Sequence, residues 1–148
     1  MPLIIRRGFR AMLDEANSAV ETIAAADALR RYPNGNVGRD DVVLVDLRDR
    51  RELEREGRIP GAFHCPRGML EFWIDPESPY AKPVFQRDAL FLFYCASAWR
   101  SALAVKTAQE MGLHPVAHLG GGFTAWREAG GPIEKVVPHE PHAAGQKS

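Results

Sequence analysis

Cysteine is scarce in this chain, net charge is absent, and no apolar run is long. Only two cysteines, Cys65 and Cys95, occur in 148 residues. That excludes a disulfide framework, and a reducing cytoplasm suits a thiol kept as a nucleophile. Nineteen basic residues balance nineteen acidic ones. Neither nucleic acid nor an anionic membrane therefore has an electrostatic claim on the chain. No apolar run approaches the roughly 20 residues needed to span a bilayer. Arg6, Arg7 and Arg10 precede the first acid, Asp14, a transit-peptide-like trait, but a signal-peptide core and cleavage site are missing. A cytoplasmic location is the expectation.

What is present suits one globular domain with a real core: hydrophobic residues make up 45% and charged residues 26%. Phe9, Met12, Leu13 and Ala16 recur at helical spacing, so residues 9–19 are predicted to form an amphipathic helix. Val20–Ile23 reads as a short strand and Ala25–Tyr32 as a helix stopped by Pro33. Val42–Val45 is a β-branched run typical of a strand buried on both faces of a parallel sheet. A charged helix over Asp49–Glu56 follows, then the Pro60-Gly61 turn and a short strand through Ala62–His64. Residues 66–83 carry four prolines and read as an irregular excursion with a short helix near Gly68–Trp73. Leu90–Tyr94 is the second buried strand, Ser101–Met111 a helix ended by Gly112, and Val116–His118 the last strand. Gly120–Gly122 is a turn and Phe123–Glu128 the last helix. The polar tail from Pro138 is expected to be disordered. Strands alternating with helices predict an α/β, three-layer α/β/α fold with a mainly parallel five-stranded sheet. In such folds the functional crevice lies beyond the carboxyl ends of the strands. Asp46, Cys95 and the glycine triplet each follow a strand end.

The chemistry concentrates in Cys95-Ala96-Ser97-Ala98-Trp99-Arg100, between a strand and a helix. Backbone N–H groups at a helix N-terminus favour an anion. Thiolate is the nucleophilic form of cysteine, and such a position promotes it. The amides of Ala96, Ser97, Ala98, Trp99, Arg100 and Ser101 form a candidate anion nest, and Arg100 adds a fork of donors suited to an oxyanion. An isolated cysteine is more often an inert buried thiol; here the surroundings favour catalysis.

Cys-x-x-x-x-Arg in this setting resembles the active-site loop of rhodanese-type sulfurtransferases. Val45-Asp46-Leu47-Arg48 is similar to the family's strand-end Asp-x-Arg, and Arg58-Ile59-Pro60-Gly61-Ala62 to its Arg/His-Ile-Pro-Gly-Ala turn. Gly121-Gly122-Phe123-Thr124-Ala125-Trp126 is similar to its closing segment. The resemblance covers roughly residues 18–134, leaving an N-terminal helical extension at 1–17 and a tail at 135–148. It implies a rhodanese-like domain in which the Cys95 thiolate takes the outer sulfur of a donor such as thiosulfate. A persulfide results, and a thiol, cyanide or a sulfur-accepting protein removes its sulfur. Arg100 and the loop amides would bind the donor, with Asp46, Arg48 and Arg58 in supporting roles. No cofactor and no metal is implied.

One departure stands inside the loop: the family commonly has glycine where this chain has Ala98. If that position needs positive φ, alanine costs about 1–2 kcal/mol, and transfer efficiency is expected to fall without being abolished. Phosphatases and arsenate reductases of related fold form the main enzyme alternative. The phosphatases use Cys-x5-Arg, one residue longer, which opens a phosphate-sized cradle. A non-turnover persulfide carrier or redox-sensing module is the alternative from another class. Glu52 is expected to face solvent. Trp99, Met69, Phe72 and Trp73 are candidates for the pocket mouth, with core packing equally open for the last three. Cys65 reads as buried filler ahead of a resolving thiol, and His139-x-x-His142 as a solvated tail ahead of a metal site.

Overall fold

The computed structural model describes residues 2–138. The expected tail and the His139/His142 pair lie almost wholly outside that range. Helix α1 spans Phe9–Ala19, strand β1 Glu21–Ala24 and helix α2 Ala25–Arg31. Strand β2 (Val42–Asp46), helix α3 (Arg50–Glu56) and strand β3 (Phe63–His64) follow. A 3-10 turn leads into helix α4 (Leu70–Ile74), and a second one, at Pro83–Gln86, precedes strand β4 (Leu90–Tyr94). Helix α5 (Trp99–Met111), strand β5 (Val116–Gly120) and helix α6 (Gly122–Glu128) complete the order.

The strands lie in the order β1-β5-β4-β2-β3, and every pairing between them is parallel. β4 is thus the central strand, which explains why Leu90–Tyr94 is apolar throughout. Strand alternation divides its side chains between two cores. Phe91, Phe93 and Cys95 join Val43 and Val45 on the face covered by Ala104, Val105 and Ala108 of α5 and Leu70 and Ile74 of α4. Leu92 and Tyr94 join Leu44 on the face covered by Ala28 of α2 and Phe123 and Trp126 of α6. The alanines of α5 let its backbone approach the sheet closely. Helix α1 packs outside this layer, Leu13 and Ala16 meeting Ala102 of α5. Among the described residues, no helix is long and apolar enough to cross a membrane.

Two boundaries differ from expectation at the place that matters. Helix α5 begins at Trp99, two residues before Ser101, because Ala98 takes the left-handed conformation (φ 80°, ψ −1°) and starts the helix there. Arg100 therefore sits in the first turn rather than in a loop. Strand β5 runs on to Gly120, so only Gly121 and Gly122 make the turn, both at positive φ.

A buried ion pair closes the end of β2. Arg48 donates from Nε to Asp46 Oδ1 at 3.0 Å and from Nη2 to Asp46 Oδ2 at 2.7 Å, both residues being fully buried. Arg48 Nη2 also donates to the Gly57 carbonyl at 2.7 Å. Its Nη1 is buried without a hydrogen-bond partner, and the guanidinium lies 4.2 Å over the Phe123 ring. The ring's negative face stands in for the missing acceptor. Removing one member of such a pair leaves an uncompensated buried charge. Asp46→Ala is expected to cost about 3–5 kcal/mol, read as a lowered urea midpoint; a loss within measurement error would contradict this account.

Candidate active site

Cys95 directly follows the central strand and is 1% exposed. Its carbonyl accepts from Phe123 N–H at 2.8 Å, and the Ala96 carbonyl accepts from Thr124 N–H at 3.1 Å. A trans peptide points its C=O and the next N–H in opposite directions. Holding these two carbonyls against α6 therefore turns the Ala96 and Ser97 amides to the other side. Among the described residues, the N–H groups of Ala96, Ser97, Ala98, Trp99 and Arg100 have no protein acceptor. The next amide, Ser101 N–H, donates to Cys95 Sγ at 3.4 Å. The loop is a run of unpaired donors ending on the sulfur, a nest for an anion at a helix N-terminus.

The close approach of α6 depends on Gly122. Its φ is +63°, and a Cβ there would lie 2.6 Å from both the Cys95 and Ala96 carbonyl oxygens. Ala98 is the one non-glycine residue at positive φ among the described residues. The condition set by the sequence is met: alanine stands where the backbone favours glycine.

Arg100 is not a free cation. It donates from Nη1 to Glu52 Oε1 at 2.8 Å and from Nη2 to Glu52 Oε2 at 3.0 Å. Glu52 therefore does not face solvent, contrary to expectation. Asp49 caps α3 by accepting from Glu52 N–H at 3.1 Å, which sets the first turn of α3 toward α5. The bidentate pair fixes Arg100 and neutralises it, so any anion approaching Arg100 would have to compete with Glu52. The Asp-x-x-Glu spacing of Asp49 and Glu52 marks a helix start, yet no sequence rule ties Glu52 to a residue 48 positions away.

The other candidates divide by place. Asp46 and Arg48 bind each other beside the loop, where Leu47 N–H donates to the Tyr94 carbonyl at 2.9 Å. Arg58 lies elsewhere: its Nε donates to Glu134 Oε2 at 2.5 Å, and the two residues also pair through their backbones. It clips residues 133–135 to the end of α3. Trp99 is 57% exposed and packs against Phe9 of α1, the ring centroids 5.2 Å apart. Trp73 packs edge-on to Phe63 against the core, and Phe72 is exposed. Met69 is half-buried where the 3-10 turn meets α4.

Cys65 and Cys95 follow β3 and β4, which flank β2 on opposite sides. Strands two places apart stand about 9.5 Å apart, beyond the roughly 7 Å reach of a disulfide between Cα atoms. Burial also pushes the Cys65 thiol up to about 12. The filler reading fits this geometry.

His118 and Thr22, which the sequence does not single out, reach the thiol through Ser101. Ser101 Oγ lies 3.7 Å from Cys95 Sγ and 3.0 Å from His118 Nδ1. His118 Nε2 lies 2.9 Å from Thr22 Oγ1. A histidine at the centre of an apolar strand is the available signal.

The Rhodanese-like domain family model matches residues 31–129. The chain belongs to the rhodanese-like family. It is 26% identical over 91 residues to mouse thiosulfate sulfurtransferase/rhodanese-like domain-containing protein 3, covering 58% of each chain. The chain thus spans under two thirds of that protein's length. Among solved structures it resembles a protein of unknown function from Rhodopseudomonas palustris, described as a possible tyrosine phosphatase. That likeness has a TM-score of 0.85 and 66% identity, covering 90% of this chain and 99% of the other. A rhodanese-related protein from Thermoplasma volcanium matches with a TM-score of 0.59 and 25% identity, covering 77% of this chain and 97% of that one.

Two substitutions test the loop with opposite signs. Ala98→Gly relieves the left-handed backbone and is expected to stabilise the fold by about 1 kcal/mol, part of the gain being offset by glycine's freedom in the unfolded chain. Thermal unfolding checks it, and a lowered midpoint contradicts it. Gly122→Ala forces α6 away from the two carbonyls. It is expected to destabilise by about 1–3 kcal/mol and to slow alkylation of Cys95, followed by peptide mass.

Proposed function

We propose that this rhodanese-like domain is a sulfurtransferase carrying sulfane sulfur as a persulfide on Cys95. The observation that supports it most is the run of unpaired loop amides ending with Ser101 N–H on the sulfur of Cys95, a residue only 1% exposed. In thiosulfate, the atom attacked is the terminal sulfur, which projects from the tetrahedral sulfonate. The Cys95 thiolate forms an S–S bond to that atom, and the donor's S–S bond breaks with its electrons leaving on sulfite. The charge that remains lies on the outer persulfide sulfur, where the loop amides can receive it as an oxyanion hole receives oxygen. An acceptor thiolate or cyanide then takes that outer sulfur and regenerates the thiolate, a two-step covalent cycle. Arg100, released in part from Glu52, holds the sulfonate end of the donor.

The phosphatase description of the Rhodopseudomonas palustris protein is the second reading. A phosphatase thiolate must attack the central phosphorus and seat three oxygens around the sulfur. Four residues between Cys95 and Arg100 make a tighter loop than that chemistry uses, and a deeply seated sulfur reaches a projecting terminal atom more readily. The loop therefore favours sulfur transfer.

Mass spectrometry after incubation with thiosulfate tests the proposal. The expected result is a gain of one sulfur mass on Cys95, lost on adding cyanide and absent in Cys95→Ser. No adduct, or an adduct that survives in Cys95→Ser, overturns it. An adduct that cyanide fails to remove indicates a carrier rather than a turnover enzyme. Faster release of phosphate from p-nitrophenyl phosphate than of thiocyanate from thiosulfate and cyanide supports the phosphatase reading instead.

A further inference from the structure

Cys95 is a buried residue whose thiol must lose its proton before it can attack, and a second polar route runs inward from it. Cys95 Sγ, Ser101 Oγ, the two ring nitrogens of His118 and Thr22 Oγ1 form one continuous line, with separations of 3.7, 3.0 and 2.9 Å. The line crosses from the loop after β4 through α5 and β5 to β1. Ser101 and His118 are buried, His118 being 2% exposed, whereas Thr22 is exposed on the edge strand. Strand alternation puts His118 on the same face as Cys95, under α5. An aliphatic side chain would fill that position at no polar cost, while a buried imidazole is tolerated only with partners at both nitrogens. Gly120 makes room at the outer end: a Cβ there would lie 3.1 Å from Thr22 Cγ2.

Burial pushes the His118 imidazole below the ordinary histidine value, so the neutral ring is favoured, one nitrogen donating and the other accepting. Among the described residues, no charged side chain is hydrogen-bonded to it; Thr22 and Ser101 take its nitrogens and Phe93 of β4 lies beside it in register. Two arrangements satisfy every link. With Cys95 protonated, S–H donates to Ser101 Oγ, the Ser101 hydroxyl donates to Nδ1, and Nε2–H donates to Thr22 Oγ1. With the sulfur anionic, each bond is reversed: Thr22 donates to Nε2, Nδ1–H donates to Ser101, and the Ser101 hydroxyl donates to the sulfur.

We propose that Ser101, His118 and Thr22 are a proton exit for Cys95 and that they orient the Ser101 hydroxyl onto its anion. The S–H proton moves to Ser101 Oγ as the serine's own proton moves to Nδ1. Nε2–H passes to Thr22 Oγ1, and the original threonine proton leaves to water at the edge strand. One proton departs, the imidazole is neutral at both ends of the process, and every donor in the line then faces the sulfur. The same final arrangement suits a persulfide anion. His118 and Thr22 thus act as positioning residues through Ser101, and the assignment rests on Cys95 being the reacting thiol.

The test is the rate of iodoacetamide alkylation of Cys95 at neutral pH, followed by peptide mass with no sulfur donor present. A failure of the relay is thereby read separately from a failure of sulfur transfer. Thr22→Val keeps the shape of an exposed strand residue and removes the hydroxyl. It is expected to slow alkylation roughly 2- to 10-fold, the effect of one hydrogen bond. Thr22→Ser restores the rate, and Thr22→Val adds no further slowing in a Ser101→Ala background. An unchanged rate in Thr22→Val, a Thr22→Ser rate as slow as that of Thr22→Val, or independent effects in the double variant overturns the proposal.

Discussion

The site depends on two hydrogen bonds that never touch the Cys95 sulfur. By donating to the Cys95 and Ala96 carbonyls, Phe123 N–H and Thr124 N–H decide which way the first two loop peptides face. Peptide planarity does the rest, turning carbonyl dipoles outward and amide dipoles inward. An anionic sulfur beside inward-facing carbonyls would be repelled; beside inward-facing amides it is held. Gly122 is needed because any Cβ would occupy the space those two carbonyls take.

Charge around the loop is arranged in two pairs with different duties. Asp46 and Arg48 are sealed from solvent and joined to Gly57 and the Phe123 ring, so they tie the end of β2 to α3 and α6. That pair is a fixture, since breaking it strands a charge. Glu52 and Arg100 are partly exposed, with side-chain exposures of 17% and 40%. There the interaction is weaker and exchangeable, as solvent screening makes such pairs. One pair holds the loop's base, while the other is open to exchange with solvent.

Much of this was legible in the chain because the signals are local or follow from elementary periodicities. Val42–Val45 and Leu90–Tyr94 are continuous apolar runs, and only strands covered on both faces use such runs. Positions at the carboxyl ends of strands place the glycine turn, Asp46 and Cys95 at one mouth. Alanine at a loop position where the family commonly has glycine points to strain if φ is positive, and φ there is 80°. Less legible was the start of α5, which moved to Trp99 because a left-handed residue can begin a helix where no capping side chain announces one. Glu52 departs from expectation because a charged residue on a charged helix is ordinarily solvated. His118 gives little local signal because its strand is apolar on either side.

By itself, the sequence determined the alternation of strands and helices, the place of Cys95 between a buried strand and a helix, and the number of residues between Cys95 and Arg100. These are properties of neighbouring residues, set by side-chain pattern and chain length. Tertiary structure alone decided which carboxylate clamps Arg100, which amides pin the loop, and that Thr22, His118 and Ser101 line up behind the sulfur. Those contacts join residues from separate elements, and parallel strands need long connections. Their partners are chosen by sheet order and register, which no local pattern encodes.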